Sequence, residues 1–99
     1  MSEKVVYKED TMVNYEKPKM YKVILLNDDY TTMDFVVEVL VEVFHKSPAD
    51  ATQIMLDVHQ KGKGIVGAYT YDIASTKIAQ VEQMAATREY PLVAVMEPE

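Results

Sequence analysis

The chain has 99 residues, of which 48% are hydrophobic, and it carries a net charge of −6 at pH 7. That length accommodates one domain with a modest core. The negative charge disfavours nucleic acid, because an acidic surface repels the phosphate backbone, and it is more compatible with a cationic ligand or a basic patch on a partner protein.

Several other classes are excluded by what the sequence lacks. It contains no cysteine, which rules out disulfides, cysteine-ligated metals and thiol catalysis. Such a composition suits a reducing cytosol, and we expect a cytoplasmic protein. No apolar run has membrane-spanning length, and the first ten residues, MSEKVVYKED, lack the apolar region of a secretory signal.

Residues 1–19 differ in character from the rest of the chain. They show no sustained apolar periodicity, and their four lysines and four acids sum to zero charge. We predict an extended or disordered N-terminal arm over this range. Residues 20–99 are predicted to form the folded domain, and they carry all of the net negative charge.

The first predicted strand leads directly into a polar turn and a helix. The apolar run at residues 21–26 is rich in β-formers and predicts a short buried strand. Asn27, Asp28 and Asp29 follow it; they are ordinary turn residues that also supply side-chain oxygens. Thr31 and Asp34 fit a capping box, which predicts a helix from residue 32 to about residue 46. Loops of this kind on a rigid scaffold commonly carry function.

The remaining elements complete a simple pattern. Ser47 and Pro48 predict the start of a second helix that runs to about residue 60, with Gly62 as its left-handed cap. Residues 64–69 predict a second strand, Thr70 is predicted to cap a third helix over residues 71–87, and residues 92–96 predict the last strand. The order β-α-α-β-α-β predicts an α+β fold with three helices on one face of a three-stranded sheet.

One group of residues could recognise an amine. Asn27, Asp28, Asp29 and His59 can all accept hydrogen bonds, and acceptors with net negative charge suit an ammonium such as a peptide α-amino group. Apolar side chains predicted nearby could form an adaptable pocket; they are Met33, Val36, Met55, Val58 and Leu92. By spacing alone, however, the same apolar residues are more typical of core, and the polar ones of a turn.

Two other function classes stay open on the residues alone. Asp28, Asp29 and His59 could hold a divalent metal in a small enzyme, or act as acid and base. The domain could also be a structural module without a ligand. A metal titration and a binding screen with free-amine peptides would separate the three classes.

Three motifs, YKVILLNDDYTTMDF, IMLDVHQKGKGIVG and YPLVAVME, resemble those of the ClpS family, and the resemblance spans about residues 20–97. ClpS proteins are small adaptors that present proteins with certain N-terminal residues to a Clp-type AAA+ unfoldase and its protease. Thr32 stands where many members have proline, and both residues are tolerated at a helix start. The resemblance implies an antiparallel sheet, no catalytic activity, and no cofactor or metal.

The resemblance also implies roles for individual residues. Asn27, Asp28 and His59 match positions that hold the α-amino group of ligands beginning with Leu, Phe, Tyr or Trp. Positions that line the side-chain pocket are matched by Leu25, Leu26, Thr31, Met33, Val36, Met55, Val58 and Leu92. Asp72 and Lys77 match positions that face the N-terminal domain of the unfoldase. The N-terminal arm is expected to help engage the unfoldase.

Overall fold

The predicted order of elements is confirmed by a computed structural model, which describes residues 17–99. The strands are β1 (Met20–Leu26), β2 (Lys63–Thr70) and β3 (Val93–Pro98), and the helices are α1 (Met33–Glu42), α2 (Pro48–Lys61) and α3 (Tyr71–Arg88). None of the helices in this range is long and apolar enough to cross a membrane. The predicted arm lies outside the described residues up to position 16.

The sheet has the order β2-β1-β3, and both pairings are antiparallel, as the resemblance implied. β1 is the central strand, and its residues 23–26 are apolar on both faces. Val23 and Leu25 are fully buried in the core that the sheet shares with the helices. On the opposite face, Ile24 lies between Ile65 of β2 and Val95 of β3.

A glycine lets α2 pack closely against β2. A Cβ atom on Gly64 would lie 2.8 Å from the Val58 Cγ2 atom and 3.0 Å from the Ile54 carbonyl oxygen. The first distance is shorter than real Cβ contacts, and the second is a tight contact with backbone that has little freedom to move aside. Gly64 therefore fixes the distance between the strand and the part of α2 that carries Val58 and His59.

The predicted end of α1 is wrong by about four residues. The helix ends at Glu42, not near Lys46. His45 adopts a left-handed conformation with φ of 56°, and the Lys46 amide donates to the Leu40 carbonyl at 3.0 Å. A left-handed residue closes a helix, and glycine is its usual signal. Histidine in that position gave no such signal in the sequence.

The predicted start and end of α2 are confirmed. The Ser47 side chain accepts a hydrogen bond from the Asp50 amide at 3.1 Å, and Pro48 opens the helix. Gly62 closes it with φ of 89°, in the left-handed region that glycine adopts without steric cost. Thr70 occupies the N-cap position of α3, but its side chain makes no capping hydrogen bond.

Candidate functional site

The turn after β1 is built around the Asp28 carboxylate. Its Oδ1 atom accepts from the amides of Tyr30 at 2.8 Å and Thr31 at 2.7 Å. Its Oδ2 atom accepts from the Thr31 hydroxyl at 2.7 Å. Aspartate favours such turns because its short side chain reaches the backbone two or three residues ahead. The turn is therefore held by its own sequence before any ligand is present.

These hydrogen bonds also set the charge state of the turn. Burial alone raises the pKa of the Asp28 carboxyl, but the bonds from the Thr31 amide, the Thr31 hydroxyl and the Tyr30 amide together hold that pKa below its ordinary value. Asp28 is thus a carboxylate at neutral pH. Because the pKa of Asp28 is lower in the folded than in the unfolded protein, its ionisation stabilises the fold at pH values above the unfolded pKa. This contribution to the free energy of unfolding is lost as the pH falls through the folded pKa.

We expect Thr31→Val to weaken this turn in a pH-dependent way. Valine keeps the shape of threonine but removes the hydroxyl donor, so the free energy of unfolding at pH 7 should fall by about 1 kcal/mol, a value discounted for partial exposure. The pKa of Asp28 should move up toward its ordinary value. Urea unfolding of both proteins at pH 7 and at a pH well below 3.8, the ordinary value for aspartate, measures the effect.

The difference between the two proteins should narrow at the low pH, because Asp28 is then protonated in both. Thr52→Val is a matched control, since the Thr52 hydroxyl bonds an exposed backbone carbonyl and no carboxylate. A stability difference for Thr31→Val that is the same at both pH values would contradict the proposed role of Asp28.

The first turn of α1 is capped one residue later than predicted. The N-cap is Thr32, whose side chain accepts from the Phe35 amide at 3.1 Å. The predicted capping box of Thr31 and Asp34 is wrong because the Thr31 hydroxyl already donates to Asp28. Thr31 therefore stabilises the turn, and Thr32 caps the helix.

A backbone hydrogen bond brings the turn to the end of α2. The Asn27 amide donates to the Gly62 carbonyl at 3.0 Å. Gly62 ends α2, and His59 lies in the last turn of that helix. The polar residues after β1 and the histidine, which are 30 to 32 residues apart in sequence, consequently line the same cavity.

A cavity of about 500 Å³ opens between this turn, the start of α1 and the second half of α2. Its volume is within the range of small-molecule sites, roughly 300–1,000 Å³. It is lined by Asn27, Asp28, Asp29, Tyr30, Thr31, Thr32, Met33, Val36, Met55, Val58 and His59.

The cavity has a polar, negatively charged side and an apolar side. Asn27, Asp28 and His59 offer hydrogen-bond acceptors, whereas methionine and valine side chains from both helices form the other wall. Two of the eleven lining residues are aspartates, and none of the eleven is lysine or arginine. This arrangement suits a ligand that has a cationic donor next to an apolar group.

The structure brings most of the predicted binding residues together. All three predicted amine-binding residues line the cavity, as do five of the predicted pocket residues, from Thr31 to Val58. The other three do not line it. Leu25 and Leu92 belong to the hydrophobic core, and Leu26 is a half-buried residue of β1. A role for these three in binding remains a prediction.

Two lining residues were not predicted as site residues. Tyr30 and Thr32 line the cavity because the turn that Asp28 organises presents its whole length to it. In the sequence they read as a turn residue and a helix cap. Their position between predicted site residues was the available signal.

The residues of the metal-enzyme alternative do not form a metal site. Asp28, Asp29 and His59 line the same cavity. Within residues 17–99, however, no three side chains of His, Cys, Asp or Glu come together in a way that could hold a metal ion.

The two residues matched to the unfoldase interface lie on α3 in different surroundings. Asp72 is exposed in the first turn. Lys77 is half-buried, and its Nζ atom donates to the Val43 carbonyl at the end of α1 at 2.8 Å. The same Nζ lies 5.8 Å from the Phe44 ring centroid and 5.9 Å from that of Tyr69. Lys77 thus joins α3 to α1.

Comparison with known proteins identifies close relatives. The family model described as "ATP-dependent Clp protease adaptor protein ClpS" matches residues 16–95. The chain is 75% identical to the ClpS adapter protein of Acetivibrio thermocellus over the full length of both. It is 68% identical to that of Syntrophus aciditrophicus over 76 residues, 77% of this chain and 71% of the relative.

A solved structure with the same fold contains a bound ligand. The structure of Agrobacterium tumefaciens ClpS2 bound to L-phenylalaninamide matches with a TM-score of 0.81 and 40% sequence identity. The match covers 84% of this chain and all of the other.

Proposed function

Because this chain belongs to the ClpS family of Clp protease adaptors, we propose that it binds proteins whose first residue is Leu, Phe, Tyr or Trp and delivers them to a Clp AAA+ unfoldase for degradation. In this proposal the protein recognises a free α-amino group and the side chain next to it. It performs no chemistry on the substrate.

The cavity is the observation that carries the proposal. Hydrogen-bond acceptors of Asn27, Asp28 and His59 share it with the apolar side chains of Met33, Val36, Met55 and Val58. The ligand of the Agrobacterium protein has matching chemistry, since L-phenylalaninamide combines a primary amine, an apolar ring and an amide in place of a peptide bond. We assign the acceptors to the amine and the apolar wall to the side chain.

We expect the first residue of a peptide to determine whether it binds. Burying a leucine or phenylalanine side chain is worth about 1.5–3 kcal/mol, so peptides that begin with Ala, Gly or Ser should bind roughly tenfold to a hundredfold more weakly than those that begin with Leu or Phe. Fluorescence anisotropy with peptides that differ only at the first position measures this.

The control is a second set of peptides in which the same substitutions are made at the fourth position behind a constant leucine. These should bind alike. Equal affinity for every first residue would contradict the proposed pocket, and binding of none of the peptides would favour the ligand-free structural module.

We assign contact with the unfoldase to α3. Asp72 is exposed there and available to a partner, in keeping with the acidic charge of residues 20–99. The cavity opens near the start of α1 and the end of α2, whereas Asp72 lies at the start of α3. Substrate and unfoldase would therefore contact different elements, which an adaptor requires because it must hold both at once.

A further inference from the structure

The cavity extends from the apolar side chains of α1 and α2 to the exposed turn that carries Tyr30. A bound protein also continues past its first residue, so part of this cavity should face the second one.

Tyr30 is the large side chain at the mouth of the cavity. It lines the cavity and yet is 77% exposed, the highest value among the exposed large hydrophobic residues of the described chain. Its backbone is fixed because its amide donates to the Asp28 Oδ1 atom. An aromatic ring is thus held on a rigid turn, next to the acceptors that would hold the amine.

Within residues 17–99, the Tyr30 ring makes none of the aromatic or core contacts that would explain its position. The aromatic contacts found within residues 17–99 join Tyr21 to Tyr71, Phe35 to Tyr90 and Phe44 to Tyr69, and none includes Tyr30. Tyr30 is also absent from the side chains that pack on the core. Within the described chain its backbone contributes to the turn, and its exposed side chain can reach a ligand.

We propose that Tyr30 forms a second subsite, which contacts the side chain of the second residue of the bound protein. The proposal rests on the proposed function, because it takes the first residue to be held by the rest of the cavity. The ring offers a flat apolar face with a negative quadrupole. It therefore suits a planar aromatic side chain, or an arginine whose guanidinium lies over the ring.

The test compares free-amine peptides that begin Leu-Ala, Leu-Phe and Leu-Arg and are otherwise identical. Alanine is the reference because it keeps the same backbone freedom as the other two. Aromatic and cation–π contacts of this kind should make Leu-Phe and Leu-Arg bind about two- to tenfold tighter than Leu-Ala. Tyr30→Ala should bind the three peptides with equal affinity, whereas Tyr30→Phe should retain the preference.

Tyr71→Ala is the matched control, since Tyr71 is an exposed tyrosine on α3 that does not line the cavity. It should keep the preference for Leu-Phe and Leu-Arg. A preference that survives in Tyr30→Ala, or one absent from the unaltered protein, would overturn the subsite. Binding of acetylated Leu-Ala as tightly as free Leu-Ala would instead contradict the proposed function, so the two failures are distinguishable.

Discussion

A Leu-initiated peptide should lose about a hundredfold or more in affinity when its α-amino group is acetylated. Acetylation removes the positive charge and most of the N–H donors that Asn27, Asp28 and His59 are proposed to bind. Each charge-assisted hydrogen bond of this kind is worth about 1.5–3 kcal/mol, and losing two of them is a change of more than a hundredfold. Calorimetry or anisotropy with the free and acetylated peptides measures the loss.

The same peptide acetylated on a lysine near its C-terminus is the control, because it loses one charge far from the cavity. It should bind like the unmodified peptide. If the acetylated N-terminus binds as well as the free one, the cavity does not recognise an amine.

A double-mutant cycle assigns the effect to a residue. His59 is exposed, so His59→Ala should fold normally. That variant should weaken binding of the free-amine peptide and have little further effect on the acetylated one, because the two changes remove the same interaction. Losses that simply add would place His59 outside the amine site.

Deletion of residues 1–17 should leave peptide binding intact and abolish delivery to the unfoldase. β1, the first element of the described chain, begins at Met20, and every proposed binding residue lies at or beyond Leu25. The cut therefore removes none of the cavity. Delivery is proposed to require a segment that reaches the motor, and the arm predicted over residues 1–19 would span roughly 20–25 Å as a coil. Affinity for a Leu-initiated peptide and the rate of degradation of a Leu-initiated substrate are measured on one preparation.

A variant in which residues 1–17 are replaced by a Gly/Ser segment of equal length tests whether delivery depends on the length of this segment or on its amino-acid sequence. If only the length matters, this variant should deliver substrate as well as the unaltered protein. Undiminished delivery by the truncated protein would mean that these residues have no part in engaging the unfoldase.

The order of elements could be predicted because most boundaries have a chemical signal. Ser47 with Pro48 marks a helix start, Gly62 a helix end, and the apolar run at the start of the domain a central strand. The end of α1 was missed because apolar residues continue the helical period through Phe44, while the left-handed residue that stops the helix is His45, which lacks the usual glycine signal. An apolar period indicates which residues are buried, and Val43 and Phe44 remain buried after the helix has ended.

The candidate site could be predicted where its residues are close in sequence or share one helix face. The proposed amine-binding residues were expected from the turn and His59. The hydrogen bond from the Asn27 amide to the Gly62 carbonyl explains why the turn lies next to the end of α2, which carries His59. The sequence could not show that Leu25 and Leu92 lie away from the cavity, because an apolar residue that packs in the core and one that lines a pocket have the same pattern in sequence. Tyr30 was missed because exposure of a turn residue cannot be read from its neighbours.

The hydrogen bond from Lys77 to the Val43 carbonyl bears on how a partner would use this lysine. Its charge contributes to the field around α3 at long range, whereas its donor group is engaged with α1 at 2.8 Å. This carbonyl takes one of the three N–H donors of the ammonium and holds the Nζ atom in place, so a carboxylate on the unfoldase would have to approach it there. We therefore expect Lys77 to influence the rate and salt dependence of association more than the lifetime of the complex, which would depend more on exposed groups such as Asp72.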